Sequence, residues 1–214
     1  MKRGYEKVQL TLYYLLKSLI ALGLILSLIR QEWINAVLIA LILILTYLPS
    51  IIKWKYRLYL PLEFDLFIII FIFLSLFLGE IHTYYYRFWW WDIFLHAESG
   101  FLLGIFGYIL VYVLNEQKNI NITMKPGFLS LFAFTFAMAT GTLWEIFEFI
   151  MDNIFGFNMQ KSGLMDTMGD LILNASGALL ISVIGYLWMK KKIKFFVFDT
   201  SIHKFVQKNQ HLFK

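Results

Sequence analysis

The chain of 214 residues contains no cysteine. Disulfides, thiolate metal sites and cysteine nucleophiles are therefore excluded, and redox chemistry says nothing about the compartment. Charge is scarce as well: 15% of residues are charged, against roughly 25% in an average soluble domain. No HExxH segment is present, and no Ser-His-Asp order suggests a hydrolytic triad. Low-complexity tracts, internal repeats and connections long enough to hold a second domain are also missing.

What fills the chain is apolar. Hydrophobic residues make up 60% of it and the mean hydropathy is +0.69. Repeated apolar runs approach the ~20 residues needed to cross a bilayer. The sequence predicts an all-α, polytopic integral membrane bundle with spans at 8–29, 33–52, 62–80, 92–114, 127–151 and 169–189 (1–189 as the transmembrane domain), and a basic tail at 190–214. The opening "MKRGYEKVQL" starts positively, but the apolar stretch after it is too long for a signal-peptide core and is expected to be kept as the first span.

The net charge of +5 would suit nucleic acid if it were spread over a soluble surface, but here it sorts by membrane side. Lys2, Arg3 and Lys7, then Lys53, Lys55 and Arg57, then Lys118 and Lys125, then Lys190, Lys191 and Lys192 fall on alternate connections. The remaining loops hold only Arg30, Arg87 and Lys161. The positive-inside rule then predicts both termini in the cytoplasm of a cell with this protein in its plasma or inner membrane, and no nucleic-acid partner.

The segment "GTLWEIFEFIMD" (141–152) is aromatic, apolar and free of proline, yet it carries Glu145, Glu148 and Asp152 at i, i+3 and i+7. That spacing is one face of a helix. The fourth span enters from the same side with Asp92 and His96 at i, i+4. The sixth enters there with Asp166, Asp170 and Asn174 at i, i+4, i+8, and the third ends there with Glu80 and His82. At 1.5 Å per residue Glu145 lies ~10 Å below Asp152, and His96 ~6 Å below Asp92. A charge at mid-span costs roughly 2.5–3.5 kcal/mol on insertion scales. Shared protons, a cation or a wet cavity has to offset several of one sign.

Carboxylates, an imidazole and an amide oxygen are ligands for a divalent ion such as Zn, Mn, Fe or Mg. The expected metal set is His96, Glu145, Glu148, Asp166, Asp170 and Asn174, with Glu145, Glu148 and His96 as acid/base candidates and Asp92, Asp152 and Gln160 as further polar residues of the site. Structural readings stand beside this. Asp92 can cap the fourth span, Thr167 with Asp170 reads as a capping box for the sixth, and Asp152 can be a solvated helix end. Gly100 and Gly104, with "ATGT" and "NASGA", suit close helix packing and need no chemistry.

Three other features stand out. "YYYRFWWW" (84–91) reads as an aromatic belt or as a platform for a lipid or aromatic substrate. Lys17 lies inside the first span, where it can snorkel or meet Asp65. In the tail, Phe198, Ile202, Phe205 and Leu212 recur at helical spacing among lysines, the pattern of an amphipathic helix on an anionic leaflet or of a partner-binding helix.

"WWDIFLHAESG", "LWEIFEFIMD", "NMQ" and "LMDTMGDLILNASGA" resemble the YjdF-like bacterial and archaeal inner-membrane proteins, a family without an agreed function. The resemblance covers about residues 89–180 and implies that Asp92, His96, Glu145, Glu148, Asp152, Gln160, Asp166, Asp170 and Asn174 are its polar signature. More distantly, Asp and His on one span, an acid on the next and D-x-x-x-N on the last resemble VanZ-like proteins, which are linked to teicoplanin resistance and the cell envelope. The Gln and Arg that follow the acidic residue in those proteins have no counterpart at that spacing here.

Three functions fit these residues. One is a membrane-embedded hydrolase or transferase acting on a lipid-linked or cell-envelope substrate at the outer leaflet. A second is an ion- or proton-coupled transporter, which would need polar groups along a whole path, whereas the inner halves of spans four to six carry almost none. The third is an accessory protein held together by its polar cluster.

Overall fold

The structure is a computed structural model that describes residues 2–115, 123–195 and 197–210. Lys118 of the fourth connection, and Leu212 of the tail, lie outside these residues. Among the described residues, six helices are long and apolar enough to cross a bilayer: Gly4–Ile29, Trp33–Tyr56, Leu62–Ile81, Trp91–Asn115, Pro126–Phe155 and Leu164–Met189. Large apolar side chains such as Val8, Ile34, Trp54, Leu143 and Leu164 cover their outer surfaces, as expected where lipid replaces water as solvent. The chain divides into two units, Met1–Trp91 and Asp92–Lys214.

In the first unit, α1 (Lys2–Ile29) ends at the "RQE" turn, where Gln31 takes a positive φ of 60°. The second span is broken. It runs as α2 (Trp33–Leu45), turns at Thr46 and Tyr47, and resumes as α3 (Leu48–Tyr56). The cause is Pro49, which has no N–H to give the carbonyl of residue 45 and whose ring crowds it. Thr46 bonds back through its hydroxyl to the Leu43 carbonyl at 2.6 Å, which stabilises the break. The third span, α4 (Leu62–Ile72), continues as a π-helix over Phe73–Ile81. Ile20, Ile39, Ile42, Ile72 and Phe77 form the core of this unit. Phe77 fits there because Gly23 leaves room: a methyl at Gly23 would lie 2.7 Å from its ring.

Lys17 meets aromatic rings rather than Asp65. Its ammonium sits 3.7 Å from the centre of the Tyr47 ring and 4.7 Å from that of Tyr13, a cation–π cage inside the span. Asp65 is taken by Lys53 at 2.5 Å. The aromatic run folds into α5 (Tyr84–Arg87) and a cluster in which Tyr84 and Phe88 pack on Trp91. Trp91 donates to the Leu74 carbonyl at 3.3 Å, while Trp89 stays exposed.

In the second unit, α6 (Trp91–Asn115) and α8 (Leu164–Met189) start at one end, and α7 (Pro126–Phe155) finishes there. Pro126 opens α7 at a position where a missing N–H does no harm. Gly156, at φ 69°, closes it. α8 begins five residues before the expected start, with Gly163 ahead of it at φ 65°. This overturns the capping-box reading: Thr167 and Asp170 lie inside the helix, and Thr167 gives its backbone N–H to the Gly163 carbonyl at 3.1 Å. Small residues set the helix crossings. A methyl on Gly100 would run into the Asn174 backbone, and one on Gly177 into the Ala97 carbonyl.

In the tail, Val197–Ile202 form a π-turn that leads into α9 (His203–Lys208). Phe198, Ile202 and Phe205, the expected apolar stripe, are buried within the protein. The Phe198 ring lies 5.1 Å from Tyr108 and 5.2 Å from Trp188. Asp199 locks the turn by accepting the Trp188 indole N–H and the Phe195 backbone N–H, both at 2.8 Å.

Candidate metal centre

The polar end of the second unit is organised around His96. Its Nε2 lies 3.5 Å from Asp92 Oδ1, one turn earlier on α6, and 3.7 Å from Asp170 Oδ2 on α8. Its Nδ1 faces Glu145 Oε1 on α7 at 3.9 Å. All three separations exceed the 2.7–3.2 Å of a direct N–H···O hydrogen bond, so the carboxylates ring the imidazole without closing on it. Asp92, His96 and Asp170 each offer one ligand atom, and the three atoms lie within 4.8 Å of one another. Two ligands each ~2.0–2.1 Å from a tetrahedral zinc ion stand about 3.4 Å apart. The two histidine–carboxylate separations approach that span.

Among the described residues, Glu145 and Asn174 each carry a buried oxygen without a hydrogen-bond partner. Glu145 is only 5% exposed, and its Oε2 is unpaired. Asn174 is 2% exposed, and its Oδ1 is unpaired. Unpaired buried polar atoms are rare in native proteins and point to a missing water or ion. Asn174 Nδ2 reaches Ser99 Oγ at 3.4 Å, and Ser99 donates to the His96 carbonyl at 2.9 Å. The amide fits because α7 has glycine opposite: a methyl on Gly141 would lie 2.6 Å from Asn174 Nδ2.

The other expected residues divide by what they touch. Glu148 is buried and accepts the Trp144 indole N–H at 2.8 Å on its own helix. Asp166 lies in the first turn of α8, one turn before Asp170, outside the three-residue group. Asp152 accepts the backbone N–H groups of Met159 at 2.7 Å and Gln160 at 2.8 Å. Gln160 in turn donates from its amide to Thr167 at 2.7 Å. Asp152 and Gln160 therefore brace the loop between α7 and α8, and Asp152 is not simply a solvated helix end.

That loop presents a residue not singled out from the sequence. Lys161 Nζ is 2.5 Å from Asp92 Oδ2. Burial alone would depress this lysine's pKa, but the hydrogen bond and charge of Asp92 outweigh it and hold the ammonium above its ordinary value. One signal was available: Lys161 is the only cation between Glu145 and Asp170. Glu98 was also passed over. It is half-buried on α6 with an unpaired Oε2, two residues from His96 and so off the stripe that carries Asp92 and His96.

Past Asn174 the polar character fades. Ile105, Leu129, Ala133, Ala137, Ala178 and Ile181 fill the interior, relieved by a Tyr108–Ser130 hydroxyl pair at 2.8 Å and by buried Ser182.

No solved structure matches the chain. An uncharacterised protein of Thermotoga maritima is 35% identical over 126 residues, which is 58% of this chain and 62% of that protein. The model of a family described as a predicted membrane protein, DUF2238, matches residues 12–191. The chain belongs to that family of membrane proteins.

Proposed function

We propose that this membrane protein holds a divalent transition-metal ion between Asp92, His96 and Asp170, at one face of the bilayer. The observation that carries the reading is the convergence of these three donors from α6 and α8 beside the buried, unpaired Glu145 oxygen. An imidazole with two carboxylates suits Zn, Mn or Fe better than Mg or Ca, which prefer all-oxygen shells. Glu145, 3.9 Å from the far ring nitrogen of His96, is placed to accept that N–H once the other nitrogen is ligated, the role carboxylates fill behind ligating histidines. It thus serves behind the ligand rather than as one.

The site is one-sided, since the core beyond Asn174 is apolar, and this favours chemistry at one leaflet over a conduit. The alternation of basic connections in the sequence supports the outer face, with both termini in the cytoplasm. A bound metal would supply an activated water or a polarised oxygen. The class of function is then hydrolysis or group transfer on an amphiphilic, lipid-linked substrate, with buried Glu148 and Glu145 nearby as carboxylates able to take a proton.

The test is elemental mass spectrometry of the detergent-purified full chain, wild type beside His96→Ala. Near-stoichiometric Zn, Mn or Fe in the wild type and its loss in the variant is the expected result. Wild-type protein that carries no metal and takes none up on incubation would count against the reading.

A further inference from the structure

We infer that Lys161 is a tethered cation that holds the metal centre's Asp92 when no divalent ion is bound, and so sets the site's affinity and its selection against monovalent ions. The inference rests on the metal reading above. It begins with how the two oxygens of Asp92 are used: Oδ1 faces His96 at 3.5 Å, while Oδ2 is held by the Lys161 ammonium at 2.5 Å. A metal seated with Asp92 as a ligand draws on the same carboxylate and brings two positive charges close to a third. Lys161 therefore has to yield when the metal enters.

The loop is built to let the side chain yield while the backbone stays in place. Gly156 and Gly163 bound it at φ 69° and 65°, a conformation glycine adopts without strain. Asp152 pins the amides of Met159 and Gln160, and Gln160 is tied to Thr167. The residue before Lys161 is thus fixed, whereas the lysine hangs on a flexible four-carbon stem and its side chain is 27% exposed. Moving the ammonium off Asp92 is a change of side-chain rotamer, with no shift of backbone.

Specificity follows from charge and tethering. A sodium or potassium ion carries the same single charge as the ammonium, and it competes with a group whose effective concentration at Asp92 is millimolar or higher. A divalent ion gains from the whole ring of Asp92, Asp170 and His96 and displaces the lysine. In the metal-free state the tethered ammonium also keeps the acidic cluster from standing bare.

The experiment is Mn2+ titration of the full chain in detergent, followed by the loss of the free-ion paramagnetic resonance signal. Wild type, Lys161→Met, Lys161→Gln, Lys161→Arg and His96→Ala are compared, first in choline chloride and then in sodium chloride of equal ionic strength. Removing a hydrogen-bonded charge pair releases roughly tenfold or more in affinity. Lys161→Met and Lys161→Gln are expected to bind Mn2+ about tenfold more tightly than wild type and to lose affinity in sodium. Lys161→Arg is expected to match wild type, and His96→Ala not to bind. Equal or weaker binding by both charge-removing variants, with wild type still binding, overturns the tethered-cation inference and leaves the metal centre standing. Absence of binding in every protein overturns both.

Discussion

Glu145 Oε1 lies 3.9 Å from Nδ1 of His96, on the edge of the ring opposite the nitrogen that faces Asp92 and Asp170. One imidazole thus separates two acidic environments, a pair of carboxylates beside one nitrogen and a single buried carboxylate behind. The sequence gathers all three acids but cannot rank them, because helical spacing fixes the face of a helix and not the nitrogen a side chain meets.

That division predicts unequal losses. Asp170→Ala removes a donor and is expected to abolish metal retention. Glu145→Gln removes only the group behind the histidine and is expected to weaken affinity about tenfold to a hundredfold, the range for partners of ligating histidines. Competition with a chelator of known affinity measures both. Equal losses in the two variants contradict the assignment.

The crossing of α6 and α8 depends on Gly100 and Gly177. Gly177→Ala places a methyl against the Ala97 carbonyl, a backbone atom that cannot rotate away. The expected cost is about 1–3 kcal/mol, as for other overpacked sites, read as a lower melting temperature in detergent. Gly127→Ala, with open space at its α-carbon, is the control and should melt close to wild type.

Asp152 is assigned to the loop. Asp152→Ala leaves the backbone N–H groups of Met159 and Gln160, both part-buried, without their acceptor, a loss of about 0.5–1.5 kcal/mol per hydrogen bond. The expected signature is faster amide exchange at Met159 and Gln160, with metal still bound at saturating concentration. Complete loss of metal with unchanged exchange would place Asp152 in the coordination shell instead.

The docked tail is open to a proteolytic test. Phe198→Ala removes a fully buried ring from between Tyr108 and Trp188, a change that costs about 3–5 kcal/mol in a well-packed core. Cleavage after Lys190, Lys191 or Lys192 should accelerate severalfold while the six spans remain intact. Unchanged cleavage would show that the tail is not held by this contact.

The spans were legible because length and apolarity decide them, and their ends agree to within a few residues except where a local device intervenes. Pro49 breaks the second span, which was expected to run unbroken over 33–52. Gly163 let the sixth span start early, and that displaced Thr167 and Asp170 from a cap into the helix. Asp92, Glu145 and Asp170, the acids that face His96, were among those marked by their helical stripes. The role of Lys161 was not, since its partner Asp92 is 69 residues away along the chain and no local period joins them. Phe198, Ile202 and Phe205 of the tail's apolar stripe are buried, but the stripe alone does not tell lipid from protein as its cover.

The most direct test of the central claim is X-ray absorption spectroscopy of the zinc-loaded full chain, wild type beside Asp170→Asn. The account predicts a shell of nitrogen and oxygen at ~2.0–2.2 Å with the outer-shell scattering of one imidazole, altered or lost in the variant. A shell without imidazole scattering, or one indifferent to Asp170, would contradict a metal centre built on His96.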